Sequence, residues 1–309
     1  MQEKNLEKEG AADIWQEGIH YLLEETAAVV QETCEELEGE VKIPDEVQGL
    51  PVKRISPYAF ARKRVEELHL PGCLEEVGRY VFYRCFALRR LCFTDSWKEI
   101  GAGVFTGCRL SELEIDFYRG ERSCLKFIVD EVRYEICVTM RYHREDGQVE
   151  TAKVLFPEHY EEAVENTPAR IVETHRHGSG GYYRQCFYNR ELNYAEYDSL
   201  LPWAAAGENE VVTAKIAVLR LRFPYRLSGA AKEKYEAWLV EHIEDAGRFY
   251  ALAEDTETLR FFGRNGYWTR EAIEQAIDAV SVEKKTEVLS VLLEERRRYF
   301  PKKKKIFEL

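Results

Sequence analysis

The stretch IPDEVQGLPVKRISPYAFARKRVEELHLP, residues 43–71, decides the fold. Its last part, Leu68-x-Leu70, puts two apolar side chains on one face of a short strand, because side chains alternate along a strand. The run Ile55-Ser56-x-x-Ala59-Phe60 before it turns the chain and drops a phenylalanine inward. The same pattern returns in EVGRYVFYRCFALRRLCFT (76–94) and EIGAGVFTGCRLSELEID (99–116). Phe60, Phe82 and Phe105 are 22 and 23 residues apart, and Leu68, Leu91 and Leu113 are 23 and 22 apart. Leu70, Phe93 and Ile115 keep the same rhythm, and Cys85 and Cys108 share a position held by Lys63 in the first unit. A single unit cannot bury its own apolar face, so units with this period must stack as the coils of a solenoid.

These residues resemble the BspA-type leucine-rich repeat, whose pattern 43–71 follows almost throughout, with Gly72 and Gly78 where the coil turns. The preceding GIHYLLEETAAVVQETCEELEGEVKIP is similar to the hairpin that precedes the first coil in that family, with Tyr21 and Leu23 alternating on one strand and Val29 on the next. The resemblance spans about residues 18–116. It implies a bacterial origin and an interaction surface without catalytic residues. Many members of the family are secreted or on the cell surface, whereas the acidic start MQEKNLEKEGAADIWQEG has no apolar signal-peptide core.

Beyond Asp116 the repeat fades. LKFIVDEVRYEICVTMRYH (125–143), TAKVLFP (151–157), ARIVETHRH (169–177) and YYRQCF (182–187) read as strands, with EDG (145–147) as a turn. They predict a β-rich unit that covers the open end of the solenoid. From about residue 190 the period becomes helical. ENEVVTAKIAVLRLRF (208–223) carries Val212, Ile216 and Leu219 on a stripe, and Ser228 and Thr269 are N-cap signals. Gly266 is a C-cap signal. Leu259 and Leu289 lie 30 residues apart in TETLRFF and TEVLSVL, a spacing that weakly resembles degenerate ankyrin-like repeats and fits an unrelated helical array equally well. The stripe Leu289, Leu292 and Leu293 reads as core, and Glu294 to Arg298 as a solvated helix end.

The most chemical-looking segment is THRHGSGGYYRQC (174–186). His175 and His177 are two apart on a strand, a metal-ligand spacing for which Cys186 or His159 is a third ligand on folding back. The glycines 178–181, with Arg176 and Arg184 beside them, suit an anion nest. The plainer reading is a strand–turn–strand loop in which His175, Arg176, His177, Tyr182, Tyr183 and Arg184 contact a partner, tyrosine and arginine being enriched at binding hot spots. The segment has neither the G-x-S-x-G of a nucleophile elbow nor the G-K-[ST] of a P-loop.

Composition bounds the rest. The net charge of −12 argues against a general nucleic-acid binder, although local basic patches and the tail PKKKKIFEL leave that alternative open. Residues 1–40 hold twelve acidic residues against two lysines. No apolar run approaches the roughly 20 residues that span a bilayer. The eight cysteines include no CxxC pair and read as free thiols buried as small apolar groups, which places the chain in the cytoplasm. The fold expected is α+β. It comprises an acidic segment (1–17), leucine-rich repeats with a capping hairpin (18–117), a β-rich extension (118–188), a helical domain (189–300) and a basic tail (301–309). The function expected is a non-catalytic protein–protein interaction scaffold with no cofactor, binding a protein rather than membrane or nucleic acid. The alternatives are a metal or anion protein or enzyme centred on His175 and His177, and nucleic-acid binding through local basic patches.

Overall fold

A computed structural model of the chain describes residues 12–166 and 171–301, which divide into two compact units between Tyr194 and Ala195. The first unit opens with an antiparallel meander of β1 (Ala12–Gln16), β2 (Ile19–Leu23) and β3 (Ala28–Thr33). The first of these strands lies within the acidic segment 1–17. The coils then deposit β4 (Glu38–Lys42), β5 (Glu46–Val47), β6 (Leu50–Ile55), β7 (Arg64–His69), β8 (Glu76–Val77), β9 (Arg90–Thr94), β10 (Glu99–Ile100) and β11 (Glu112–Phe117). They alternate between two sheets. In one, β3, β6, β8 and β10 run parallel; in the other, β4, β7, β9 and β11 do.

The repeat residues form columns between these sheets. Leu68, Leu91 and Leu113 pair in register, as do Phe93 and Ile115, and all are buried along with Leu70. Phe60, Phe82 and Phe105 stack from coil to coil at centroid distances of 5.7 and 5.5 Å. Burying one such side chain contributes about 1.5–3 kcal/mol. The thiols of Cys85 and Cys108 donate to the carbonyls of Phe60 and Phe82 one coil earlier, at 2.9 and 3.0 Å. Burial pushes these thiols up to about 11 and about 12, so they stay protonated. No disulfide joins the cysteines among the described residues.

The turn between the sheets is a second ladder. Tyr58, Phe60 and Arg62 donate their N–H groups to Arg79, Val81 and Tyr83 of the next coil, and Tyr80, Phe82 and Arg84 donate to Ala102, Val104 and Thr106. At the open start, Ala59 O accepts instead from the Thr33 hydroxyl at 2.8 Å. At the open end, Phe105 N donates to the Glu131 carboxylate at 2.8 Å. Close stacking also explains the glycines. A Cβ on Gly101 would lie 2.3 Å from Arg79 N, and one on Gly78 would lie 2.6 Å from Pro57 N. The equivalent Ser56 tolerates a side chain because it follows the meander rather than a coil, donating its N–H to Val30 O.

Glu131 belongs to α1 (Leu125–Glu131), a helix where the sequence suggests strand. Leu125, Ile128 and Val129 recur at helical spacing and are buried, and that periodicity overrides the β-branched composition. After it, β12 (Ile136–His143) extends the sheet parallel to β11, and β13 (Val149–Phe156) returns antiparallel. A separate hairpin follows, β14 (Tyr160–Asn166) and β15 (Ile171–His177), then the single turn α2 (Gly180–Tyr183) and the small pair β16 (Phe187–Tyr188) and β17 (Glu191–Leu192). The strand expected over 182–187 is therefore mostly a helical turn. Its Arg184 is buried, and that forces the conformation. The guanidinium donates to the carbonyls of Val129 (2.7 Å), Val132 (3.1 Å), Tyr134 (3.0 Å), Gly180 (3.0 Å) and Pro157, tying α1, β13 and α2 together.

The second unit is helical. It is built from α3 (Tyr194–Ser199), α4 (Leu201–Gly207), α5 (Glu210–Arg222), α6 (Gly229–Glu241), α7 (Ile243–Leu252), α8 (Thr256–Arg264), α9 (Arg270–Val282) and α10 (Thr286–Tyr299). Ser228 and Thr269 cap α6 and α9 as their sequence positions predict. Of the stripe expected on α5, only Ile216 is fully buried; Arg220 is buried beside it, paired through two nitrogens with Asp198, which also accepts from Tyr235. The pairs α7–α8 and α9–α10 share a left-handed turn residue, Glu254 and Lys284, 30 residues apart like Leu259 and Leu289. Leu292 is buried and Leu289 and Leu293 are half-buried. Glu295 is not solvated as its charged surroundings suggest. Its carboxyl fills the notch above Gly263, and burial raises its pKa. Among the described residues, no helix is long and apolar enough to cross a membrane.

Two stability measurements follow from this packing. Burial raises the Glu131 pKa even though the Phe105 N–H and the Thr106 hydroxyl oppose it. A carboxyl with a raised folded pKa contributes stability below its unfolded pKa that is lost as pH rises through the folded one. Glu131→Gln keeps an acceptor for Phe105 and is expected to gain on the wild type as pH climbs out of the carboxylate range. Glu131→Ala loses the cap and about 1–3 kcal/mol in urea denaturation. Arg184→Met strands buried carbonyls and is expected to cost about 3 kcal/mol or more; a loss under 1 kcal/mol contradicts the role given to it here.

Candidate interaction surface

The outward residues of the parallel sheet follow the repeat register. Position by position they bring Glu67, Arg90 and Glu112 into one row, and His69, Cys92 and Glu114 into the next. The guanidinium groups of this face, Arg90 and Arg141, are engaged by its carboxylates. Glu114 accepts from Arg90 on one side and Arg141 on the other. Burial pushes its carboxyl up, but these two guanidinium bonds outweigh it and hold the pKa below the usual carboxylate range. Asp116 lies 2.7 Å from His143 Nε2 and 3.6 Å from Arg141. The Tyr118 ring stacks on His143 at 4.2 Å. His69 Nε2 sits 2.8 Å from Glu67 and 3.7 Å from Glu40. A shallow cleft of about 440 Å³ opens here, lined in part by Lys42, Asp45, His69, Cys92, Thr94 and Tyr118.

The turn row has a different character. Tyr58 stacks on Tyr80 at 5.3 Å, and Tyr83 meets Tyr80 edge-on at 5.8 Å. Arg84 lies over the rings of Tyr83 and Phe86 at 6.0 and 5.7 Å. Tyr58 is 48% and Phe86 57% exposed. Arg62, Lys63, Arg64, Arg84 and Phe86 line an open cavity of about 680 Å³, with Glu38 and Glu66 at its margin. None of these four cations has an ion-pair partner among the described residues, whereas the strand-face cations do.

Backbone strain marks the same row. Tyr58, Arg62, Tyr80 and Arg84 have φ of 63°, 65°, 57° and 59°, and the equivalent residues of the third coil are Gly103 and Gly107. A side chain in the left-handed region costs about 1–2 kcal/mol where glycine costs nothing. Two coils carry tyrosine and arginine at these positions.

The segment 174–186 is built differently from its sequence reading. The side chains of His175 and Arg176 lie outside the described residues; their backbone is in β15, opposite Glu162 and Glu161. His177 is exposed and packs on Tyr160 at 5.5 Å. Tyr182 is exposed, but Tyr183 and Arg184 are buried, so neither presents a contact surface and Arg184 offers no charge to nucleic acid or to an anion. Gly180 and Gly181 are closely packed: a Cβ on Gly180 would lie 2.2 Å from the Glu158 carbonyl oxygen and one on Gly181 2.8 Å from the His159 ring. The Cys186 thiol donates to Tyr182 O at 3.5 Å, and His159 faces Glu161 at 3.4 Å.

The residues that sequence reading passed over are Glu67, His69 and Cys92 on the strands, and Arg62, Lys63 and Arg84 in the turns with Arg64 at the start of β7. The repeat period holds the signal for both sets. It places the residue after Leu68 beside the residue after Leu91, and it places Arg62 one coil from Arg84.

No curated protein and no solved structure matches the chain significantly. Residues 34–124 match the BspA type Leucine rich repeat region in six copies, and this part of the chain is accordingly a leucine-rich-repeat solenoid of that type.

Proposed function

We propose that this chain is a non-catalytic interaction scaffold of the bacterial cytoplasm, and that its turn row is the surface that recognises an acidic protein partner. Leucine-rich repeats commonly serve as protein-interaction modules, which supports the general reading. The observation that carries the finer one is the set of unpaired cations Arg62, Lys63, Arg64 and Arg84 beside the exposed Phe86 and Tyr58. A partner docking on the strand face must break ion pairs already made, so it gains little. On the turn row each new carboxylate meets a cation with no partner to give up, flanked by aromatic surface of the kind that forms hot spots. The helical unit, with its paired helices at 30-residue spacing, adds a second, ankyrin-like surface in this reading.

The test is affinity capture from source cells with the full chain, Arg62→Glu/Arg84→Glu and His177→Ala/Tyr182→Ala, all checked for folding by circular dichroism and run with and without nuclease. The expected result is a stoichiometric protein that survives nuclease, is lost with the arginine reversals, and remains with the 177/182 pair. Loss with the 177/182 pair alone moves the surface to the β14–β15 hairpin. Loss on nuclease treatment makes the partner a nucleic acid. The backbone strain has its own check: Arg84→Gly is expected to stabilise the fold by up to about 1 kcal/mol while weakening partner binding.

A further inference from the structure

We propose that Glu67, His69 and Cys92 form a binding site for a thiophilic divalent metal ion, with zinc(II) the best fit. The site is independent of the turn row. Glu67 and His69 are two apart on β7 and so share its outer face, and Cys92 is the register partner of His69 on the parallel strand β9. The potential ligand atoms of the three side chains all lie within 4.8 Å of one another. Zinc–sulfur and zinc–nitrogen bonds of about 2.3 and 2.0 Å put neighbouring ligand atoms roughly 3.5 Å apart, so side-chain rotation of about an ångström closes the set without moving the backbone. The backbone is the rigid part, since both strands lie inside a parallel sheet with buried Leu68 and Leu91 beneath. A fourth ligand is within reach: Glu40, on β4, has a carboxylate oxygen 3.7 Å from His69 Nε2.

The donor set selects the metal. A thiol, an imidazole and a carboxylate suit zinc or cobalt, whereas magnesium and calcium require oxygen ligands. The local charge is favourable, because Glu40, Glu67 and Glu114 surround the position. Arg90 lies beside it, its Nε 3.6 Å from Glu67. Arg90 also bonds Glu114, so it keeps a partner when Glu67 turns to a metal. Burial and the neighbouring Glu114 push the Cys92 thiol up to about 11, so it carries its proton at neutral pH. Binding therefore exchanges that proton for the metal: the S–H bond breaks, a sulfur–metal bond forms and one proton is released to solvent. Affinity rises with pH as a consequence.

Metal-free full-length protein titrated with cobalt(II) reads the site directly, because a cobalt–thiolate bond gives a charge-transfer band in the near ultraviolet. The expected result is a saturable band of one cobalt per chain. Zinc displaces it, Cys92→Ser abolishes it, and His69→Gln weakens binding by at least about tenfold. Cys73→Ser keeps it. A second measurement needs no variant: zinc protects Cys92 from alkylation, read by peptide mass spectrometry on the wild type. No band at millimolar cobalt, a band that survives in folded Cys92→Ser, or alkylation of Cys92 unaffected by zinc overturns the proposal.

Discussion

The structure of the first unit depends on one constraint: the backbone of each coil is satisfied by its neighbour. Tyr58, Phe60 and Arg62 give their N–H groups to the second coil, and Tyr80, Phe82 and Arg84 give theirs to the third. An array built this way has unmet donors at one end and unmet acceptors at the other, and a buried group without a partner costs about 1–3 kcal/mol. The chain closes both ends with side chains at the equivalent positions. The Thr33 hydroxyl supplies a donor to Ala59 O where no coil precedes, and the Glu131 carboxylate supplies an acceptor for Phe105 N where no coil follows. The flanking segments follow from this. The meander carries Thr33 and pairs with the first coil through β3 and β6, α1 carries Glu131, and Arg184 holds α1 through its carbonyls.

That constraint also shows what sequence alone makes legible. The solenoid was readable because its information is periodic: each of Phe60, Leu68 and Ile55 states its role again one coil later. Gly78 is legible as a turn, although the reason it shares with Gly101, contact with the backbone of the preceding segment, needs the geometry. The caps were not readable. A threonine and a glutamate that each act once leave no pattern, and α1 was hidden because LKFIVDE has strand composition with helix spacing. The segment THRHGSGGYYRQC misled for a related reason. Its composition suggests a surface, yet Tyr183 and Arg184 face inward, where the arginine collects carbonyls that no strand pairing satisfies. Glu295 repeats the lesson in the second unit, a charged residue in a charged run that packs over a glycine.

The two outward rows of the solenoid separate by the state of their charges. On the strand row, carboxylates and guanidinium groups alternate at repeat spacing and hold one another, with Glu114 between Arg90 and Arg141 as the clearest case. Such a face is tied together by its ion pairs and keeps more carboxylates than guanidinium groups, as the cation site proposed at Glu67, His69 and Cys92 requires. On the turn row, tyrosine and arginine occupy left-handed positions that the third coil gives to glycine, and their cations have no partners among the described residues. In the function proposed above, strain and unpaired charge in one place suit this row to a macromolecular partner. The repeat thus gives one unit two chemistries, because the same period samples both the strand and the turn.

The capping claim is the one on which the rest stands, and amide hydrogen exchange of the full chain, read residue by residue by NMR, tests it most directly. If Glu131 completes the ladder, the Phe105 amide is protected to a degree comparable with those of Phe60 and Phe82, which sit inside the stack. If Phe105 exchanges at the rate of an open amide while Phe60 and Phe82 stay protected, the end of the solenoid is uncapped and the account of α1 and the extension fails.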